Sequence, residues 1–211
     1  MTRDSRWRRP ILAAILLFAV VLGARGWRDN ASVMLGGDMA RYLMNGVFVH
    51  DFVVDGAATS MEGLARYAEL YYAKYPALSL GHHPPLPYVT LVPFYFVFGI
   101  SIFGVRIAEL CWFLLAAWGL YTVARQMFGW QVASWATVLF VTNPLVLRNG
   151  QRLLSEMPML ALVLVSMALL LSYCETRRPW RLVAFALTVV LSLYAKQLAA
   201  FMLPVYFVVL G

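Results

Sequence analysis

Charge is what this sequence has least of. Asp, Glu, Lys and Arg make up 13% of its 211 residues, against about 25% in a soluble domain. With 62% hydrophobic residues and a mean hydropathy of +0.73, that scarcity excludes a soluble globular domain and specifies an integral membrane protein. Cysteine is nearly absent too. Cys111 and Cys174 lie within or at the edge of apolar stretches and lack metal-ligand spacing, so they read as structural filler rather than a disulfide. The Gly-x-Ser-x-Gly elbow, the P-loop, the dinucleotide fingerprint and the His-Glu-x-x-His pattern are all missing. A serine hydrolase, a nucleotide-driven pump and a His-based metal centre therefore have no support, and no metal site is expected. No segment alternates with the period of a barrel strand, and there is no internal repeat or low-complexity tract.

What the chain does have is apolar blocks of helical-span length separated by short polar links. The expectation is an all-α, polytopic helical membrane protein forming a single membrane domain over 1–211. Its first block, 11–24, follows Arg3, Arg6, Arg8 and Arg9 as in a signal peptide. No small-x-small cleavage site follows, however, and Arg25, Trp27 and Arg28 have the character of interfacial anchors. It is read as a retained span, about 10–27, with the amino terminus in the cytoplasm. The net charge is +7, but the basic residues sit at span ends. There they set orientation and meet lipid phosphates, so lipid and not nucleic acid is the expected partner.

Residues 28–104 are read as an external loop if the amino terminus is inside; its part up to Pro84 is the one long polar segment, with Asp29, Asp38, Asp51, Asp55, Glu62 and Glu69. Two short amphipathic helices are predicted in it. One starts at Gly36-Gly37-Asp38, with Asp38 as its N-cap, and ends at Asn45-Gly46; the other covers about 60–74 and stops before Pro76. Later spans are expected at about 105–124, 131–148, 157–174, 181–195 and 198–211. Read as one helix, 181–211 would measure about 46 Å, too long for one crossing of about 30 Å, so Lys196-Gln197 marks a turn.

Residues 86–103 decide the sidedness of everything after them. If they span, Arg106, Arg148, Arg152 and Lys196 are cytoplasmic and Arg125, Arg177, Arg178 and Arg181 external; if they lie flat, the groups exchange. With the four amino-terminal arginines the positive-inside count is a tie. Pro84, Pro85, Pro87 and Pro93 at the start of the segment, and the lack of a polar turn across Gly99–Gly104, favour a surface-lying helix.

Under that reading Asp38, His82, His83, Arg106, Glu109, Arg148, Arg152, Glu156 and Lys196 gather on the external face. Carboxylates suit a general base for an attacking hydroxyl, and Arg and Lys suit an anionic leaving group such as phosphate. Each residue also has a plain structural reading. Asp38 caps a helix, Glu156 complements a helix dipole, Arg106 pairs with Glu109 three residues on, and Lys196 snorkels. His82 and His83 point apart in an extended Pro-rich segment and make poor co-ligands for one metal. Tyr42, Tyr71, Tyr72 and Tyr75 belong to an interfacial belt or stack on sugars.

The ordered set of Gly37-Asp38-Met39-Ala40-Arg41-Tyr42, His83-Pro84-Pro85-Leu86-Pro87-Tyr88, Phe98-Gly99, Phe103-Gly104-Val105-Arg106, 121–129, Asn143-Pro144, 152–156 and Ala195-Lys196 resembles a known pattern. It is that of the amino-terminal half of the GT-C superfamily of polyprenyl-phosphate-dependent glycosyltransferases, in particular the dolichyl-phosphate-mannose-protein mannosyltransferase-like group with its bacterial relatives. The resemblance implies a GT-C-like fold with external juxtamembrane helices in the first loop. It also implies a multi-pass protein of a bacterial inner or plasma membrane with an external active site. The activity implied is inverting transfer of a sugar from a lipid-phosphate carrier to a glycan, lipid or protein acceptor. Asp38 would be the general base and Glu156 would orient acceptor or donor; Arg106 and Lys196 would lie near the leaving phosphate, and His82, His83, Arg152 and Tyr42 would bind substrate. No cofactor beyond the lipid-linked donor is implied, and a divalent metal is left open. Met39, the Ile107-Ala108-Glu109 run and Glu156 in place of Asp depart from the family pattern, and the chain is about half the usual length. The competing expectations are a non-catalytic or truncated membrane relative and a transporter or flippase of lipid-linked sugars. The second fits less well, because the charges cluster at span ends rather than at span centres.

Overall fold

The chain was described from a computed structural model that covers residues 5–25, 27, 37–55, 61–76 and 78–210; Arg3, Arg28, Asp29 and Gly36 lie outside them. All regular structure among these residues is helical. In chain order it comprises α1 (Ser5–Ala24), α2 (Asp38–Asp55), α3 (Met61–Lys74), α4 (Leu86–Val89), α5 (Val92–Phe98) and α6 (Ile102–Phe128). These are followed by α7 (Trp130–Thr142), α8 (Pro144–Gly150), α9 (Glu156–Thr176), α10 (Pro179–Ala195), a 3-10 segment (Gln197–Met202) and α11 (Leu203–Leu210). Two helices, α6 and α9, are long and apolar enough to cross a membrane. The pair α7 and α8 passes the same test together but bends by 68°.

The bend falls inside the block expected as one span, 131–148, and its cause is local. Pro144 has no N–H to continue α7, and the Asn143 side chain accepts from the Leu145 and Val146 amides at 2.9 and 3.3 Å, starting a new helix. α10 stops at Ala195, and Lys196 is extended (φ −161°, ψ 130°) before the 3-10 segment.

α6 and α9 form the centre, with α1 and α7 against α6 and α10 against α9. Small residues make this close approach possible, because lipid supplies no hydrophobic drive between helices and backbone proximity must supply dispersion contact instead. Ala19, Ala116, Ala117 and Ala161 are fully buried. A Cβ on Gly119 would stand 2.9 Å from Leu164 Cβ.

Two expectations about the first loop change. α2 does not end at Asn45-Gly46 but runs to Asp55. Gly46 is a contact rather than a stop, since a Cβ there would lie 3.1 Å from both Leu91 and Tyr95. The segment 86–103 is not one helix. α4 and α5 break at Thr90-Leu91, and Gly99 (φ 70°) and Ser101 separate α5 from α6. Ser101 supplies the cap, its hydroxyl accepting from the Gly104 amide at 3.3 Å. Leu86–Phe98 would extend about 20 Å as helix, well short of a crossing of about 30 Å. Tyr42 and Met39 of α2 pack with Tyr88, Leu91, Tyr95, Val105 and Leu153, so this short pair ties α2 to α6 and to the loop before α9.

Tyr71, considered above for sugar stacking, holds α3 on α2 together with Tyr67, and Tyr75 stacks on Tyr71. The Tyr71 and Tyr67 hydroxyls donate to Asp51 and Asp55, each at 2.9 Å, and their rings pack in a ladder with Phe48, Phe52 and Tyr75. Burial beside these carboxylates pushes both phenols well above their ordinary pKa. Tyr72 remains exposed.

Candidate active site

Four chain segments converge on one open polar cavity of about 360 Å³. The first two turns of α2 contribute Asp38 and Tyr42, and the loop before α4 contributes His82, His83 and Pro84. The start of α9 brings Ser155 and Glu156, and the end of α10 brings Lys196 and Gln197.

Asp38 begins α2, where its charge complements the helix dipole, yet its side chain stays 52% exposed to the cavity. Arg41, one turn on, lies 3.4 Å from Oδ1, and His83 Nε2 lies 3.7 Å from the same oxygen. Glu156 begins α9, and its Oε1 accepts from Lys196 Nζ at 2.5 Å across the cavity. This pair is half-exposed, so its electrostatic gain is modest and each partner is available to a ligand. Glu156 Oε2 has no hydrogen-bond partner.

His83 is fixed by stacking. Its ring lies 4.9 Å from that of Tyr42 at a 40° tilt and meets His82 edge-on at 4.7 Å. Burial holds its imidazole pKa below the ordinary value; Asp38 opposes that shift, while His82, Arg41 and Lys196 add to it. Burial likewise raises the Tyr42 phenol.

Sequence reasoning missed Asn45. Asp38, Tyr42 and Asn45 are spaced i, i+4, i+7 and share one face of α2. Asn45 is fully buried and grips the Ser79 backbone from both sides, Oδ1 accepting from Ser79 N at 3.0 Å and Nδ2 donating to Ser79 O at 3.3 Å. It thereby anchors the loop that delivers His82 and His83. Asn45→Ala is expected to lose about 1–3 kcal/mol, because two backbone groups lose their partner, and the thermal midpoint of the detergent-solubilised protein reports it.

Arg106 and Arg152 do not join the cavity lining. Arg106 does not pair with Glu109; its guanidinium donates to the carbonyl of Trp27, beyond the last turn of α1. Gln151 serves the same helix end, donating to the carbonyls of Leu22, Gly23 and Arg25. The orphan carbonyls of a helix end explain why both donors are drawn there. Arg152 is half-buried with Nε unpartnered, Glu109 is fully buried, and Arg148 is exposed. Among the described residues no three His, Cys, Asp or Glu side chains converge as a metal-ligand set.

A second cavity of about 450 Å³ adjoins the first and shares His82, His83, Pro84 and Gln197 with it. Its other walls are largely apolar, including Pro85, Tyr88, Leu193 and Tyr194. From Tyr194 an exposed stripe of Leu191, Val190, Leu187 and Val183 continues along α10 at helical spacing.

Comparison with known proteins gives one family. Residues 82–211, more than half of the chain, match the sequence model of the dolichyl-phosphate-mannose-protein mannosyltransferases. No curated protein and no solved structure matches. The matched stretch opens on His82-His83 and contains Glu156 and Lys196, and the fold places Asp38 and Tyr42 of the preceding segment against it. The chain belongs to the dolichyl-phosphate-mannose-protein mannosyltransferase family, membrane glycosyltransferases of the GT-C type that take their sugar from a polyprenyl-phosphate carrier.

Proposed function

We propose that this protein transfers a sugar from a polyprenyl phosphate to an acceptor hydroxyl on the external face of the membrane, with inversion, in the cavity between Asp38 and the Glu156–Lys196 pair. The observation that carries this reading is the joining of two cavities. A polar one holding a carboxylate and a lysine opens through shared residues into an apolar one that continues along α10. An amphiphilic donor fits that combination: phosphate and sugar beside Lys196, the carrier's first isoprene units past Tyr88 and Tyr194. From Tyr194 to Val183 the stripe covers about 16 Å, room for several such units.

In the reaction the acceptor oxygen attacks the anomeric carbon from the face opposite the phosphate. The bond from that carbon to the phosphate oxygen breaks, and its electron pair leaves with the phosphate. Asp38 Oδ takes the acceptor proton, so no alkoxide forms in advance. Lys196 meets the charge that develops on the leaving phosphate. Glu156 holds Lys196 before the donor binds and is free to orient a sugar or acceptor hydroxyl once phosphate engages Nζ. Arg106, committed to the end of α1, has no part in this scheme.

Sidedness is the testable core of the location. Glu156 and Arg177 lie at opposite ends of α9, so an external site requires a cytoplasmic Arg178. A topology reporter placed at Arg178 should be protected from an external reagent. Labelling there from outside would put Glu156 and Lys196 on the cytoplasmic side and end the external assignment. Proton NMR of the new glycosidic bond tests inversion, and a retained anomeric configuration would reject direct displacement.

A further inference from the structure

His83 presents a feature that sugar binding does not use. Its Nε2 is buried, has no hydrogen-bond partner, and points to within 3.7 Å of Asp38 Oδ1. A buried ring nitrogen left unpartnered is costly, yet the ring is held in place by Tyr42 and His82, and the Asn45 clamp on Ser79 fixes the loop that carries it. The separation is just beyond a hydrogen bond, and a movement of under about 1 Å closes it.

We propose that His83 is the proton acceptor paired with Asp38, receiving on Nε2 the proton that Asp38 removes from the acceptor hydroxyl. This rests on Asp38 being the general base. The proton goes from the acceptor oxygen to Asp38 Oδ1 as the glycosidic bond forms and the bond to phosphate breaks. It then moves to Nε2, leaving a carboxylate beside an imidazolium, and reaches water when the carrier phosphate departs. An imidazole is ordinarily a stronger base than a carboxylate, and the Asp38 charge opposes the lowering of the His83 pKa by burial, which favours the handover. The handover leaves Asp38 ionised and ready for another hydroxyl. The charged and titratable groups around His83 are Asp38, Arg41 and Tyr42 from α2, His82 from its own loop, and Glu156 and Lys196 across the cavity. Because burial lowers its pKa, His83 stays neutral and able to accept a proton further into the acid range than a free histidine.

The test uses the full chain in membrane vesicles with polyprenyl-phosphate mannose as donor. His83→Gln keeps a polar side chain but cannot take up the proton; kcat should fall by about 10–100-fold. The histidine ionisation in the acid limb of the kcat–pH profile should vanish and only the carboxylate's should remain. A His83→Gln enzyme with the rate and pH profile of the parent overturns the proposal. A second arm is independent of turnover. In histidine-labelled protein followed by NMR, Asp38→Asn should lower the His83 pKa, because the Asp38 charge raises it; an unmoved titration also overturns the pairing. An inactive Asp38→Asn combined with an unaffected His83→Gln removes the pairing alone, whereas an active Asp38→Asn removes the base reading beneath it.

Discussion

Replacing Asp38 by Asn is expected to lower the rate of sugar transfer by about 10²–10⁴-fold, the range lost when a general base is removed. The substitution keeps size and hydrogen-bonding shape but cannot accept the proton of the attacking hydroxyl. Its structural cost is small. Asp38 is half-exposed, its contact to Arg41 at 3.4 Å is a surface pair, and its part in the helix dipole is worth about 0.3–1 kcal/mol. The two readings of this residue, base and helix-start acid, therefore separate cleanly. A base predicts lost kcat with a nearly unchanged thermal midpoint. An acid that only stabilises α2 predicts a slightly lower midpoint with transfer intact.

Lys196→Met should have an effect of similar rank, about 10²–10³-fold in kcat, by analogy with the loss of one preorganised group that stabilises developing charge. Met keeps the length of the side chain and removes the cation. The site tolerates the change structurally, since Glu156 is half-exposed and its carboxylate becomes hydrated. Lys196→Arg should recover part of the rate, because the charge returns with a different shape. The ion pair gives this experiment its sign. If Lys196 served only to neutralise Glu156, then Glu156→Gln together with Lys196→Met would behave like Glu156→Gln alone. If Lys196 meets the phosphate, the double variant is at least as slow as Lys196→Met alone. Measured kcat and KM for the four proteins decide between them.

How much of this was legible in the sequence depends on the range of the interaction. Helix-forming blocks and the turn at Lys196 follow from composition and length, and the helices are there. The bend at Asn143-Pro144 was written in the residues too, but a continuous apolar count runs across it. Gly46 misleads for a physical reason: a glycine that ends a helix and one that admits a neighbour's side chain look alike until Leu91 and Tyr95 are in place. Asp38, Tyr42, His82, His83, Glu156 and Lys196, gathered by motif order, do line one cavity. Arg106 and Arg152 do not, because an arginine's partner is set by tertiary structure, and for Arg106 the carbonyl of Trp27 lies within reach. Asn45 was hidden for the same reason, although its spacing from Asp38 and Tyr42 on one helix face was a usable signal.

The central claim is that the cavity between Asp38 and Lys196 moves sugar from a lipid phosphate. The most direct measurement offers vesicles containing the protein a panel of polyprenyl-phosphate sugars and, in parallel, the corresponding nucleotide sugars, and reads products by mass. Glycosylated product is expected from a polyprenyl-phosphate sugar, none from any nucleotide sugar, and loss of that product in Asp38→Asn. Product formed from a nucleotide sugar without a lipid carrier, or product undiminished in Asp38→Asn, would contradict it.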